Sequence, residues 1–155
     1  AGNAALASGD AARARTMLER AQADAAAAAS ATLQAIAASD LARALVALGE
    51  DERALAELDS ATSLAPKAAE SWLLKATLLR RLERLDEAQL AIERAGTIAP
   101  MDPQIGLEAG VIAVLSGRNS AARASWQSVI DIEPSSPAAL TAQSYIAQLE
   151  PEEPS

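Results

Sequence analysis

Acidic residues cluster twice in this chain, at Glu50, Asp51 and Glu52 and again at Asp86 and Glu87. Paired carboxylates of this kind can do acid–base work or hold a divalent cation. Neither use finds its customary companions. The 155 residues contain no His and no Cys, which removes the commonest general base, the thiol nucleophile and the softer metal ligands. Serines occur without a His to activate them, and no glycine-rich phosphate loop appears. Each acidic cluster instead stands at the predicted start of a helix, where carboxylates complement the positive end of the helix dipole. The sequence therefore predicts no enzyme activity, no cofactor and no metal site.

Composition narrows the class further. The formal net charge is −8, which argues against a nucleic-acid partner, because phosphate binding needs a basic face. No apolar run approaches the ~18 residues that a direct membrane span requires. Apolar residues make up 50% of the chain, but alanine supplies most of them and Phe is absent. Each alanine buries little area, so the core must be thin and spread along the molecule. Ala, Leu, Glu and Arg are strong helix formers, and β-branched residues never form a strand-like run. The fold class expected is all-α. The chain begins at Ala1 rather than Met, as expected of a processed product or of one domain taken from a larger enzyme or membrane-anchored protein.

The elements that organise these residues are set by a period. Pro66, Pro100 and Pro134 recur every 34 residues, each closing a similar helical phrase, ALAELDSATSLAP, AQLAIERAGTIAP and ARASWQSVIDIEP. A fixed period of this length means one supersecondary unit stacked on its copies. In the central unit, Trp72, Ala76 and Leu79 share one face of a first helix, the chain turns around Glu83 to Asp86, and Ala88, Ile92 and Ala95 share one face of a second. This unit resembles the tetratricopeptide repeat, a 34-residue helix–turn–helix, at Trp72, Ala76, Ala88, Ala95 and Pro100, although Lys75 and Glu83 stand where Leu and Gly are usual. The preceding unit matches at Leu41, Ala42, Gly49, Ala54, Ala61, Leu64 and Pro66. The following one matches at Gly110, Gly117, Ala122, Trp126, Ile132 and Pro134. The resemblance implies a right-handed superhelical solenoid of antiparallel helix pairs, with units at 35–68, 69–102 and 103–136.

The flanks extend this scheme. Gly9, Ala14, Leu18 and Ala21 mirror Gly49, Ala54, Leu58 and Ala61 at an offset of 40, six more than the period. Residues 1–34 thus read as a degenerate first unit with an Ala-rich join. That join either turns near Asp24 or Ser30 between longer helices, or fuses them into one; the turn is preferred, because fusion would strip the Leu18 face of its stacking neighbour. Ser136 and Pro137 make a helix start, giving a capping helix over 137–149, and the tail 150–155 is expected to be disordered. Both tryptophans are expected to pack in the interior.

In tetratricopeptide arrays the first helix of each unit lines a concave groove. Transferring that geometry gives Ile36, Ser39, Arg43, Val46 and Ala47, then Glu70, Leu73, Thr77, Arg80 and Arg81, then Gln104, Leu107, Val111, Val114 and Leu115. The contact residues expected are Leu73, Thr77, Leu107, Val111 and Val114 for affinity, with Arg43, Arg80 and Arg81 for charge selection. Together they suit an extended or helical segment of another protein that is acidic and amphipathic. The alternative is that the arginines pair with nearby glutamates while the capping helix covers the apolar residues. The Lys and Asn clamp of the chaperone-tail branch is not reproduced at Ser39, Arg43, Leu73 and Thr77. A self-assembling homo-oligomer through the Ala-rich end is the structural alternative to a scaffold. Resemblance to short bacterial arrays that serve envelope assembly, including cytochrome c maturation and pilus biogenesis, favours the periplasm over the cytoplasm.

Overall fold

The 34-residue spacing has two structural counterparts, one for each kind of joint between helices. The computed structural model describes residues 11–27 and 30–149, and among these it contains eight helices and no strand. They are α1 (Ala11–Ala27), α2 (Ala31–Ala47), α3 (Asp51–Leu64), α4 (Ala69–Arg81), α5 (Leu85–Ile98), α6 (Pro103–Leu115), α7 (Asn119–Ile132) and α8 (Pro137–Gln148). The 150–155 tail and the segment around Gly9 lie outside the described residues.

The first joint is a left-handed helix terminator. Gly49, Glu83 and Gly117 have φ of +76°, +60° and +75°. At each, the same two backbone bonds form: Gly49 N–H donates to Val46 O and Glu50 N–H to Leu45 O, Glu83 to Arg80 and Arg84 to Leu79, Gly117 to Val114 and Arg118 to Ala113, all within 2.8–3.0 Å. These bonds satisfy carbonyls at the helix end and reverse the chain into α3, α5 and α7. The second joint is built by proline. Ala65, Ala99 and Glu133 precede Pro66, Pro100 and Pro134 and are held extended, at φ/ψ of −133°/74°, −131°/72° and −151°/87°, because a following proline disfavours helical geometry. Ala68, Asp102 and Ser136 then donate back to Ala65, Ala99 and Glu133. Asp102 and Ser136 go on to cap α6 and α8 by accepting from Gln104 N (2.9 Å) and Ala139 N (3.0 Å), each with proline as the next residue.

The six surplus residues near the start are absorbed by length. α1 and α2 each run 17 residues against 12–14 for the others, and Ser30 starts α2 by accepting from Leu33 N (3.3 Å). The chain therefore does not continue as one helix from Arg15 to Leu48.

By its internal packing the chain divides into two units, Ala1–Leu78 and Leu79–Ser155, with the boundary inside α4. In the first, α2 packs on both α1 and α3, burying Leu18, Leu41, Leu45 and Leu58 among alanines such as Ala38 and Ala61. Charges lace its surface: Arg15 and Arg53 share Glu50 and Glu19, and Gln22 donates to Glu57 (2.7 Å), tying α1 to α3. The hydrogen bond from Arg53 to Glu19 is the first cause that raises the Arg53 pKa above its ordinary value. In the second unit, α6 contacts α5, α7 and α8, and α7 contacts α8. Its core gathers Ala113, Ala122, Trp126, Val129, Ala138 and Ala142.

Candidate functional site

Small residues decide how closely α6 and α7 approach. Trp126 of α7 is 4% exposed, and its indole N–H donates to the Leu107 carbonyl (3.1 Å). That bond requires the ring to lie against the backbone of α6, and Gly110 makes room for it: a Cβ there would sit 2.1 Å from Trp126 Nε1. Gly106, one turn earlier, faces Val129 in the same way, at 2.5 Å from Cγ2. Tyr145 of α8 closes over the indole with ring centroids 5.1 Å apart and planes tilted by 51°.

Tyr145 also lines two clefts. Leu107, Val111 and Val114 of α6 are half-buried and pack against the core to which α7 and α8 both contribute. The larger cleft, of about 480 Å³, is lined by the apolar Leu107, Val111 and Ala138 and by Arg80, Glu108, Gln104 and Thr141. The smaller, of about 240 Å³, is lined by Val111, Val114, Leu115, Trp126 and Leu149. Val111 and Tyr145 belong to both.

Two of the three arginines are ion-paired within the chain. In the second unit Arg80 Nε donates to Glu108 Oε1. Arg81, its neighbour in the last turn of α4, is exposed and has no ion pair among the described residues. In the first unit Arg43 is held between Asp40 on its own helix and Glu70 in the first turn of α4. Of the three arginines expected to select charge, Arg81 is thus the one with no ion pair among the described residues. The other two are neutralised by carboxylates on their own or the neighbouring first helix.

Leu73 and Thr77 lie half-buried on α4, and Ile36 is 54% exposed on α2. Ser39 does not line a groove: its hydroxyl is buried and hydrogen-bonded to that of Ser71 (2.9 Å), joining α2 to α4. Trp72 also departs from expectation. It is half-buried rather than interior, with its N–H donating to the Pro66 carbonyl (2.9 Å) and the Lys75 ammonium 5.2 Å from its ring centroid. Gly110, Gly106 and Tyr145 are the site residues that sequence reasoning missed. The i, i+4 glycine pair on a helix was the available signal.

Asp51 and Glu52, like Asp86 and Glu87, fall in the first turns of α3 and α5. Among the described residues no group of three or more His, Cys, Asp or Glu is placed to hold a metal ion. None of the described helices is long and apolar enough to cross a membrane.

Residues 69–100, which span α4, its left-handed turn and α5, match the family model of the tetratricopeptide repeat. A tetratricopeptide repeat protein from Parabacteroides merdae superposes with a TM-score of 0.78, at 16% identity over 94% of this chain and 56% of its own. YrrB, a tetratricopeptide protein with an unusual peptide-binding site, gives 0.74 at 23% identity, covering 93% of this chain and 71% of its own. The second tetratricopeptide domain of human RPAP3, in complex with an HSP70 peptide, gives 0.69 at 19% identity over 77% and 99%. No curated protein matches the chain in sequence. Residues 69–100 are thus a tetratricopeptide repeat, and the chain has the all-α fold of a tetratricopeptide array.

Proposed function

We propose that this chain is a non-enzymatic interaction scaffold that holds a peptide or helical segment of another protein against its first helices. The observation that carries the reading is the open cleft between α6 and α8, lined by both apolar and hydrogen-bonding side chains. YrrB and the RPAP3 domain, which share the fold, bind peptides, and that supports the same class of use here. Within the second unit the contact residues are Leu107, Val111 and Val114, with Arg80 and Arg81 at the end of α4. Within the first they are Arg43, Leu73 and Thr77. The setting proposed is assembly of a bacterial envelope complex, after the short bacterial arrays that the chain resembles.

A photocrosslinking residue placed at Val111 or Thr141, compared with one at Leu90 on the exposed side of α5, tests the surface. Crosslinks from source-cell extract are expected at the first two positions. Crosslinks confined to Leu90 would move the binding face elsewhere.

A further inference from the structure

We infer that Glu108 sets the charge preference of the cleft between α6 and α8, so that the segment seated there carries a basic side chain and no carboxylate. This rests on the cleft being a docking site. Arg80 is the one cation among the lining residues and Glu108 the one anion. Their side chains are 25% and 13% exposed, so the acid is the more deeply placed of the two. A carboxylate entering from a partner could reach Arg80 only by displacing Glu108, leaving a mostly buried charge without its counter-ion, or by lying beside it against like-charge repulsion. An ammonium or guanidinium beside Glu108 meets the mirror-image repulsion from Arg80, so the neutral pair cancels the pull of Arg80 on acids and leaves the choice of sign to the field of the rest of the chain. Glu108 keeps a second oxygen as acceptor, and the Thr141 and Tyr145 hydroxyls and the Gln104 amide oxygen in the same lining accept as well.

The remaining charges point the same way. The chain carries a net −8, a field that draws cationic segments and repels acidic ones. In the first unit the arrangement recurs with a stronger bias, since Arg43 faces two carboxylates, Asp40 and Glu70. Arg81 is exposed but is not part of the cleft lining. The carboxylate that an acidic partner would bring is thus already supplied from within, and specificity comes from what the site turns away.

Three capped peptides test this, identical except for a central Lys, Gln or Glu flanked by leucines. Each is titrated into the isotope-labelled full chain at low ionic strength, following the backbone amides of Val111, Thr141 and Tyr145. The Lys peptide is expected to bind about tenfold more tightly than the Glu peptide. In Glu108→Gln, which keeps the shape and frees the Arg80 charge, the order is expected to reverse. In Arg80→Gln, a second variant that leaves Glu108 in place, the Lys preference is expected to widen. Equal binding of the Lys and Glu peptides to the native chain, or an unchanged order in a folded Glu108→Gln variant, overturns the role of Glu108 and leaves the docking reading standing. If none of the three peptides shifts those amides, the docking reading falls, and the role of Glu108 with it.

Discussion

Gly96 and Gly110 are both helical glycines, yet an added methyl group meets opposite surroundings at the two. Glycine inside a helix costs roughly 0.5–1 kcal/mol relative to alanine. At Gly96 a Cβ would meet only Ile105 Cγ2 at 3.8 Å, an ordinary contact, so the backbone gain stands alone. At Gly110 it would sit within 2.1–2.6 Å of three atoms of the Trp126 indole, whose N–H is fixed to Leu107 and whose face is closed by Tyr145. Overpacking of that kind costs about 1–3 kcal/mol, enough to outweigh the helix propensity. Gly96→Ala is expected to raise the urea midpoint and Gly110→Ala to lower it. Equal shifts of one sign would show that the indole does not rest on Gly110. Trp126→Ala is expected to cost about 3–5 kcal/mol, and a loss below about 1 kcal/mol in the same melts would contradict its burial.

Among the elements, the three left-handed turns are alike in geometry but not in residue. Gly49 and Gly117 adopt positive φ without a Cβ penalty, while Glu83 holds φ of +60° with a full side chain. For an L-residue that conformation costs roughly 1–2 kcal/mol. Glu83→Gly is therefore expected to stabilise the chain by about 1 kcal/mol, read in urea melts, and Glu83→Ala to show no comparable gain. A similar gain from alanine would trace the effect to removing the charge rather than to the backbone. Both kinds of joint were legible in the sequence because their bonds close over about five residues, so the period of prolines and glycines carried them directly. The pairings that decide the site were not. Arg43 finds Glu70, Arg80 finds Glu108 and Ser39 finds Ser71 at separations of 27, 28 and 32 residues. Such partners depend on how each first helix is rotated against the next, which residue types alone leave open. The contact of Gly110 with Trp126 was hidden for the same reason. The glycine was visible only as a small residue, and its partner lies on the other helix of the pair.

At the scale of the whole chain, each of the two units has its own internal core, and stability in a repeat array is carried by neighbouring elements rather than by one centre. The last helix offers a clean perturbation of one unit. Ser136 caps α8 by accepting from Ala139 N, and α8 in turn places Ala138, Ala142 and Tyr145 over the core residues Trp126 and Val129. Losing such a cap costs about 1 kcal/mol, a factor of roughly five in the opening equilibrium of the elements that depend on it. In Ser136→Ala, amide exchange is expected to quicken about fivefold through α8 and the facing parts of α6 and α7. Exchange in α2 and α3, whose protection comes from Leu41, Leu45 and Leu58, is expected to stay at its native rate. Equal acceleration in all five helices would mean that the chain opens as a single cooperative body, and the neighbour-by-neighbour account of its stability would have to be given up.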